Sequence, residues 1–269
     1  MRFSASVGVC GFVSFVISRL SLGLLCLFAA VPTSTALSDI LLGDEQPAKQ
    51  PELWNRIAAA DVIYIGETHS SREDHLYELE LIRGMIRRRI KFAVGWEMFD
   101  RTQQSDLDRF NEGRLTLAEL FAVTGFDKSW AAYSPLYARI LETTAHANIP
   151  NIGLNAPTAL AHKVAKGEPL SPSEKKQIPT EFRVPAGAYR YFVGLLGEHP
   201  GMNEGDLPRF FVAQNVWDQT MAETILEFRK RDPGTRLVVL TGRGHVQGGF
   251  GVPNYVQQKS AAKQLVLLP

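Results

Sequence analysis

The chain has 269 residues, 45% of them apolar and 21% charged, with a formal charge of +1. This composition excludes an intrinsically disordered chain. The near-neutral balance also excludes the broad basic surface that a nucleic-acid binder needs to neutralise phosphates, so no nucleic acid is expected among the partners. The main cationic run, Arg83 to Lys91, closes a predicted helix, where positive side chains complement the carbonyl end of the helix dipole.

Residues 1–36 read as an export signal. Arg2 and Arg19 precede the uncharged apolar stretch Leu20 to Val31, and Ser34-Thr35-Ala36 offers small residues for cleavage. Both cysteines lie in this leader, Cys10 after Val9 and Cys26 after Leu25. Neither follows the small residue that lipid attachment needs, so a lipid anchor is not expected. Cleavage after Ala36 leaves a cysteine-free chain, without disulfides, thiol nucleophiles or thiolate-ligated metals. Residues 37–269 are read as one exported domain, periplasmic or otherwise in the cell envelope.

After the leader, strands and helices alternate. Asp61 to Glu67 is predicted as a strand, and Asp74 to Arg89 as a helix with Leu76, Leu79, Ile82, Met85 and Ile86 at helical spacing, begun by Asp74 as cap. Lys91 to Met98 is the second strand. Helices follow over Thr102 to Asn111, Thr116 to Val123 and Ser134 to Ala147. Pro150 to Asn155 is a third strand, and Pro157 opens the next helix. A long helix from about Arg209 to Arg231 leads to the last clear strand, Leu237 to Thr241. Strands separated by helices need crossovers, so the expected class is α/β: a largely parallel or mixed central sheet flanked by helices. Residues 168–208 break the rhythm with prolines, glycines and charges around the short apolar piece Tyr189 to Leu196, and are read as a small helical cap.

The chemistry gathers at predicted strand ends. Ile63-Tyr64-Ile65-Gly66-Glu67-Thr68-His69, Phe92-Ala93-Val94-Gly95-Trp96-Glu97, Ile152-Gly153-Leu154-Asn155 and Val238-Val239-Leu240-Thr241-Gly242-Arg243-Gly244-His245 each carry an apolar run to a polar group. Carboxyl ends of strands in open α/β sheets converge on one ligand crevice, so Glu67, His69, Glu97, Asn155 and His245 are expected at one site. Glu67 and His69, two apart, leave an extended backbone on the same side. Such a pair holds a metal, serves as an oriented general base, or forms a structural ion pair. With Glu97 and His245 the set Glu67, His69, Glu97, His245 suits zinc or manganese. Asp218 lies on the inner face of the long helix, where an unpaired carboxylate is costly. It is expected to meet solvent at the crevice or to pair with a cation. Gly242 to Gly249 fails the dinucleotide fingerprint because Gln247 stands where the third glycine belongs. A nucleophile elbow and a phosphate loop are both missing from the sequence.

The motifs Gly66-Glu67-Thr68-His69, Gly95-Trp96-Glu97-Met98-Phe99, Gln214-Asn215-Val216-Trp217-Asp218, and Gly242-Arg243-Gly244-His245 leading to Gly251-Val252-Pro253 resemble, in order, those of the ChaN-like haem-binding proteins. That family is similar in turn to a wider superfamily of Tiki proteases and erythromycin-esterase-like hydrolases. The first resemblance implies haem binding in the envelope, between two subunits of a homodimer, in iron or haem acquisition. The second implies a metal-dependent hydrolase using His69, Glu97 and His245. Haem needs an apolar slot and an axial side chain. His199 and Met202, beside Tyr189, Tyr191 and Phe192 in the cap, are the candidates. His146 and His162 are expected on the surface, His75 at the crevice edge, and Trp130, Tyr133 and Tyr137 in helix packing. The residues alone leave binding protein and enzyme both open.

Overall fold

The computed structural model describes residues 41–42, 50–196 and 204–269. The predicted leader, His199 and Met202 lie outside them.

Six strands form one sheet in the order β1-β6-β2-β5-β3-β4: β1 (Leu41–Leu42), β2 (Val62–Glu67), β3 (Phe92–Asp100), β4 (Asn151–Asn155), β5 (Arg236–Gly242) and β6 (Gln264–Leu268). Every pairing among β2 to β6 is parallel, and only the two-residue β1 runs antiparallel, against β6. The α/β class expected from alternation is the class observed. The helices are α1 (Gln50–Ala59), α2 (Arg72–Arg87), α3 (Gln104–Asn111), α4 (Leu117–Thr124), α5 (Phe126–Ser129), α6 (Ser134–His146), α7 (Thr158–Ala165), α8 (Pro172–Lys175), α9 (Ala188–Leu196), α10 (Leu207–Arg231) and α11 (Val252–Lys259). No described helix is long and apolar enough to cross a membrane.

Side-chain alternation along the parallel strands divides the core in two. Ile63, Ile65, Val94, Trp96, Val238 and Leu240 pack with α2 and the α3 to α6 layer. Val62, Tyr64, Ala93, Leu154, Leu237 and Val239 pack under α10 and α11 through Met221, Ile225, Phe228 and Tyr255. The long helix α10 returns to the sheet as its apolar spacing predicts.

The start of α2 differs from the sequence reading. The cap of α2 is Ser71, whose hydroxyl accepts from the Asp74 N–H, so the helix begins at Arg72. Asp74, the expected cap, instead accepts from the Thr68 N–H at 2.7 Å and lies 3.4 Å from Arg243, joining the turns after β2 and β5. The basic run ends α2 as expected: Arg88 donates to the Gly84 carbonyl and stacks 3.8 Å over Trp54. The carboxy-terminal strand β6 and helices α1 and α11 have no counterpart in the reading. β6 is leucine-rich with one β-branched residue, and leucine carries no strand signal of its own.

Candidate functional site

Strand order makes the site. β5 lies between β2 and β3, with Glu67 opposite Gly242 and Trp96 opposite Leu240, so the last carboxylates of β2 and β3 flank the end of β5. Beyond Trp96, β3 bulges: it advances four residues to Asp100 while β4 advances two, from Gly153 to Asn155. Glu67 continues the parity of Ile63 and Ile65 and faces α2 and α6. Glu97 continues that of Ala93 and faces α10.

Two hydrogen-bonded groups result. In the first, Glu67 Oε1 accepts from the Tyr137 hydroxyl and sits 2.7 Å from His69 Nδ1, which is also 3.1 Å from the Tyr137 oxygen. The edge of Trp130 meets the His69 ring at a centroid distance of 5.0 Å. In the second, Glu97 Oε2 accepts from the Thr241 hydroxyl and the Gly242 N–H, both at 2.7 Å. Glu97 Oε1 lies 3.3 Å from His245 Nε2, and His245 Nδ1 lies 2.5 Å from Asp218 Oδ1. The groups meet where His69 Nε2 comes within 3.9 Å of Glu97 Oε1. A Cβ on Gly242 would stand 2.9 Å from His69 Nε2, so a larger residue there would displace the ring.

The charges interlock. Burial alone pushes Glu97 up, but the His245 charge, the His69 charge and the Thr241 hydroxyl hold it well below the usual carboxylate range. Burial pulls His245 down, while Glu97 and Asp218 together hold it well above an ordinary histidine. His69 is raised too: Glu67 and Glu97 outweigh its burial. Burial raises Asp218, offset in part by His245. A cavity of about 370 Å³ opens over Glu67, His69 and His245, walled by Phe192, Leu195, Gln214, Arg243 and Gln247. His69 reaches it with 30% of its side chain exposed.

Of the expected site residues, Glu67, His69, Glu97, Asp218 and His245 are brought together, and Asp218 meets a cation as anticipated. Asn155 is not. It donates to the Glu97 backbone carbonyl at 3.1 Å and accepts from the Ala156 N–H, so it fastens the bulge of β3 to β4. Tyr189 and Tyr191 lie on α9; Tyr189 is exposed against Phe211, and Tyr191 stacks on Phe250. His146 and His162 are exposed as expected. His75 is not at the crevice edge: it is buried on α2, bonded to Glu78 at 2.9 Å.

The expected ligand set for zinc or manganese is split. Glu67 and Glu97 point to opposite faces of the sheet, and His69, Glu97 and His245 do not bring their ligand atoms within 4.8 Å of one another. The group that meets that limit among the described residues is Glu67, His75 and Glu78. The chemistry of the crevice imidazoles still suits a ligand role, since each Nδ1 is held by a carboxylate and each Nε2 faces Glu97 Oε1. The sequence reading leaves out Glu78, gives Tyr137 only a packing role and sets His75 at the crevice edge. Tyr137 carries no local signal, because its partner Glu67 is 70 residues away. His75 and Glu78 did carry one, a polar pair three apart on the inward face of an otherwise apolar helix stripe.

A parallel α/β sheet whose two glycine-x-x-histidine turns close over buried carboxylates defines the class. The chain matches the family described as haem-binding uptake, Tiki superfamily, ChaN, over residues 53–256, and belongs to that family. Among solved structures it is similar to ChaN of Campylobacter jejuni with cofacially bound haem, at 20% identity and a TM-score of 0.66 over 84% of this chain and 88% of that one. It is also similar to the erythromycin esterase EreC in its open conformation, at 14% identity and a TM-score of 0.44 over 76% and 67%. Comparison with curated proteins gives no match.

Proposed function

We propose that this chain binds haem and serves iron or haem acquisition in the cell envelope. The observation that carries the reading is an uncovered aromatic face beside the crevice. Tyr189 of α9 is 42% exposed and packs on Phe211, which in turn meets Phe192 of the crevice wall. A porphyrin needs such a flat apolar surface with an axial donor at hand, and the exposed Tyr189 phenol is a donor of the right type. The fit is therefore one of residue chemistry. His199 and Met202 stay with the proposal as sequence candidates. The similar Campylobacter protein is described as binding haem cofacially, and haem shared between two copies of this chain is part of the same proposal. The proposal takes residues 1–36 as an export signal, on their sequence.

The test is titration of the purified full chain with haemin. A Soret band should appear, and Tyr189→Phe should weaken binding by about tenfold or more, the loss of roughly 1.4 kcal/mol or more. A folded chain that leaves the haemin spectrum unchanged overturns the reading.

One geometric observation favours a second reading, hydrolysis. The His69 ring is oriented by Glu67 and Tyr137 while Nε2 turns to the crevice beside Glu97, the disposition of a general base with its orienting carboxylate. Hydrolysis of activated esters should then fall by about a hundredfold or more in His69→Ala, with haemin binding intact. Equal rates in the two proteins rule hydrolysis out.

A further inference from the structure

Behind the crevice, on the α2 side of the sheet, one imidazole and two carboxylates are buried face to face. His75 Nε2 lies 3.0 Å from the carbonyl oxygen of His69. A carbonyl only accepts, so this nitrogen carries a proton, and Nδ1 is the ring atom directed at the two carboxylates. It lies 2.9 Å from Glu78 Oε2 and 3.4 Å from Glu67 Oε2. Glu67 Oε2 and Glu78 Oε1 have no hydrogen-bond partner, and all three side chains are buried. Buried acceptors left in this state cost about 1–3 kcal/mol each, more when charged.

We propose that Glu67, His75 and Glu78 hold a divalent cation of the zinc or manganese type in this buried pocket. Ligand atoms from the three residues lie within 4.8 Å of one another. The 3.4 Å separation matches the edge of about 3.4 Å that tetrahedral bonds of ~2.0–2.1 Å produce, and the 2.9 Å pair would open by about 0.5 Å around the ion. One imidazole nitrogen with two carboxylates is a mixed ligand set that suits zinc or manganese better than calcium or magnesium. Two carboxylates beside a neutral imidazole also match a divalent charge.

The surrounding contacts are those of a ligand shell. His75 gives its other N–H to a backbone carbonyl, and the second oxygen of Glu67 is held by Tyr137 and His69. The pocket rests on β2 and two positions one helical turn apart on α2, so its spacing is rigid. Glu67 belongs to both centres, one oxygen toward His69 at the crevice and the other toward the cation. The site is separate from the aromatic haem face and does not depend on it.

The experiment uses the full chain without a histidine tag, stripped with chelator, dialysed against zinc or manganese salt, and analysed for metal. About one equivalent per chain is expected, falling below about a tenth in Glu78→Gln and His75→Asn, while Glu97→Gln, at the crevice, keeps it. An anomalous-scattering map from wild-type crystals soaked in zinc should place the ion among Glu67, His75 and Glu78, and needs no variant to fold. The proposal fails if folded wild type retains no metal, in which case a proton shared by Glu78 and its neighbours holds the group together. It fails equally if Glu97→Gln loses the metal that Glu78→Gln keeps, or if the anomalous peak lies elsewhere.

Discussion

Replacing His245 by glutamine is expected to cost about 3–5 kcal/mol of folding stability near pH 6.5, the penalty for removing one partner of a buried ion pair. Glu97 and Asp218 are both buried and both directed at this imidazole, at 3.3 and 2.5 Å. Without it, Glu97 keeps the Thr241 hydroxyl and the Gly242 N–H as donors, while Asp218 loses its charged partner and neutral amides, that of Gln214 among them, replace the imidazolium. The pH dependence has a definite sign. In the wild type, Glu97 is lowered, so its contribution is present above an unfolded carboxyl value of about 4.3 and is lost as pH falls through its folded value. His245 is raised, so its contribution is full below an unfolded value of about 6.5 and is lost as pH rises through its folded value. The stabilisation from this pair is therefore complete between about pH 4.3 and 6.5.

In the variant the two carboxyls take up protons more readily when folded than when unfolded. Its deficit should be smallest near pH 4 and grow toward neutrality. Urea unfolding at several pH values measures this, and Asp218→Asn added to His245→Gln should recover part of the loss. A deficit below about 1 kcal/mol at every pH, within the range of exposed pairs, would mean that the cluster is solvated in solution and does not act as a buried unit.

The strand ends are readable because each short apolar run stops on a polar group, and a parallel sheet brings such ends to one edge. Strand order was not readable. Nothing local says that the last clear strand, Leu237 to Thr241, slots between the first two, yet that insertion is what lets Gly242 donate to Glu97 and lets His69 approach it. The error in the expected ligand set has the same root. The reading treated four strand ends as one set, but parity sends Glu67 with Ile65 to one face and Glu97 with Ala93 to the other, and parity has meaning only once the face of each strand is known. Asp218 was visible as a carboxylate in an apolar helix stripe, and the same signal at Glu78 on α2 went unused. Tyr137 lay beyond any such signal, since an aromatic residue on an amphipathic helix reads as packing until its hydroxyl has a partner.

The glycine-rich segment after β5 provides a sharper test of how the site is held. The sequence suggests only that glycines there allow close backbone approach, without separating one from another. The structure separates them. Gly251 has φ 71° and ψ −146°, a region open to glycine almost alone, and a Cβ added to it would lie 2.1 Å from the His245 carbonyl oxygen and 3.4 Å from Asp218 Oδ2. Gly244 has no atom within 4 Å of the corresponding position and no such backbone requirement. Gly251→Ala should therefore destabilise by roughly 2–6 kcal/mol, from backbone strain of about 1–3 and overpacking of a similar size. Gly244→Ala should stay within about 0.5 kcal/mol of wild type. The obstruction is backbone, so it is not relieved by a rotamer change. What can yield is the turn carrying His245, and the imidazole would move off Asp218 and Glu97 with it. The His245 ring resonances should then lose their raised titration midpoint in Gly251→Ala and keep it in Gly244→Ala. Equal stabilities for the two variants would show that the turn does not press on Gly251 in solution, and that the alignment of His245 comes from its ion pairs alone.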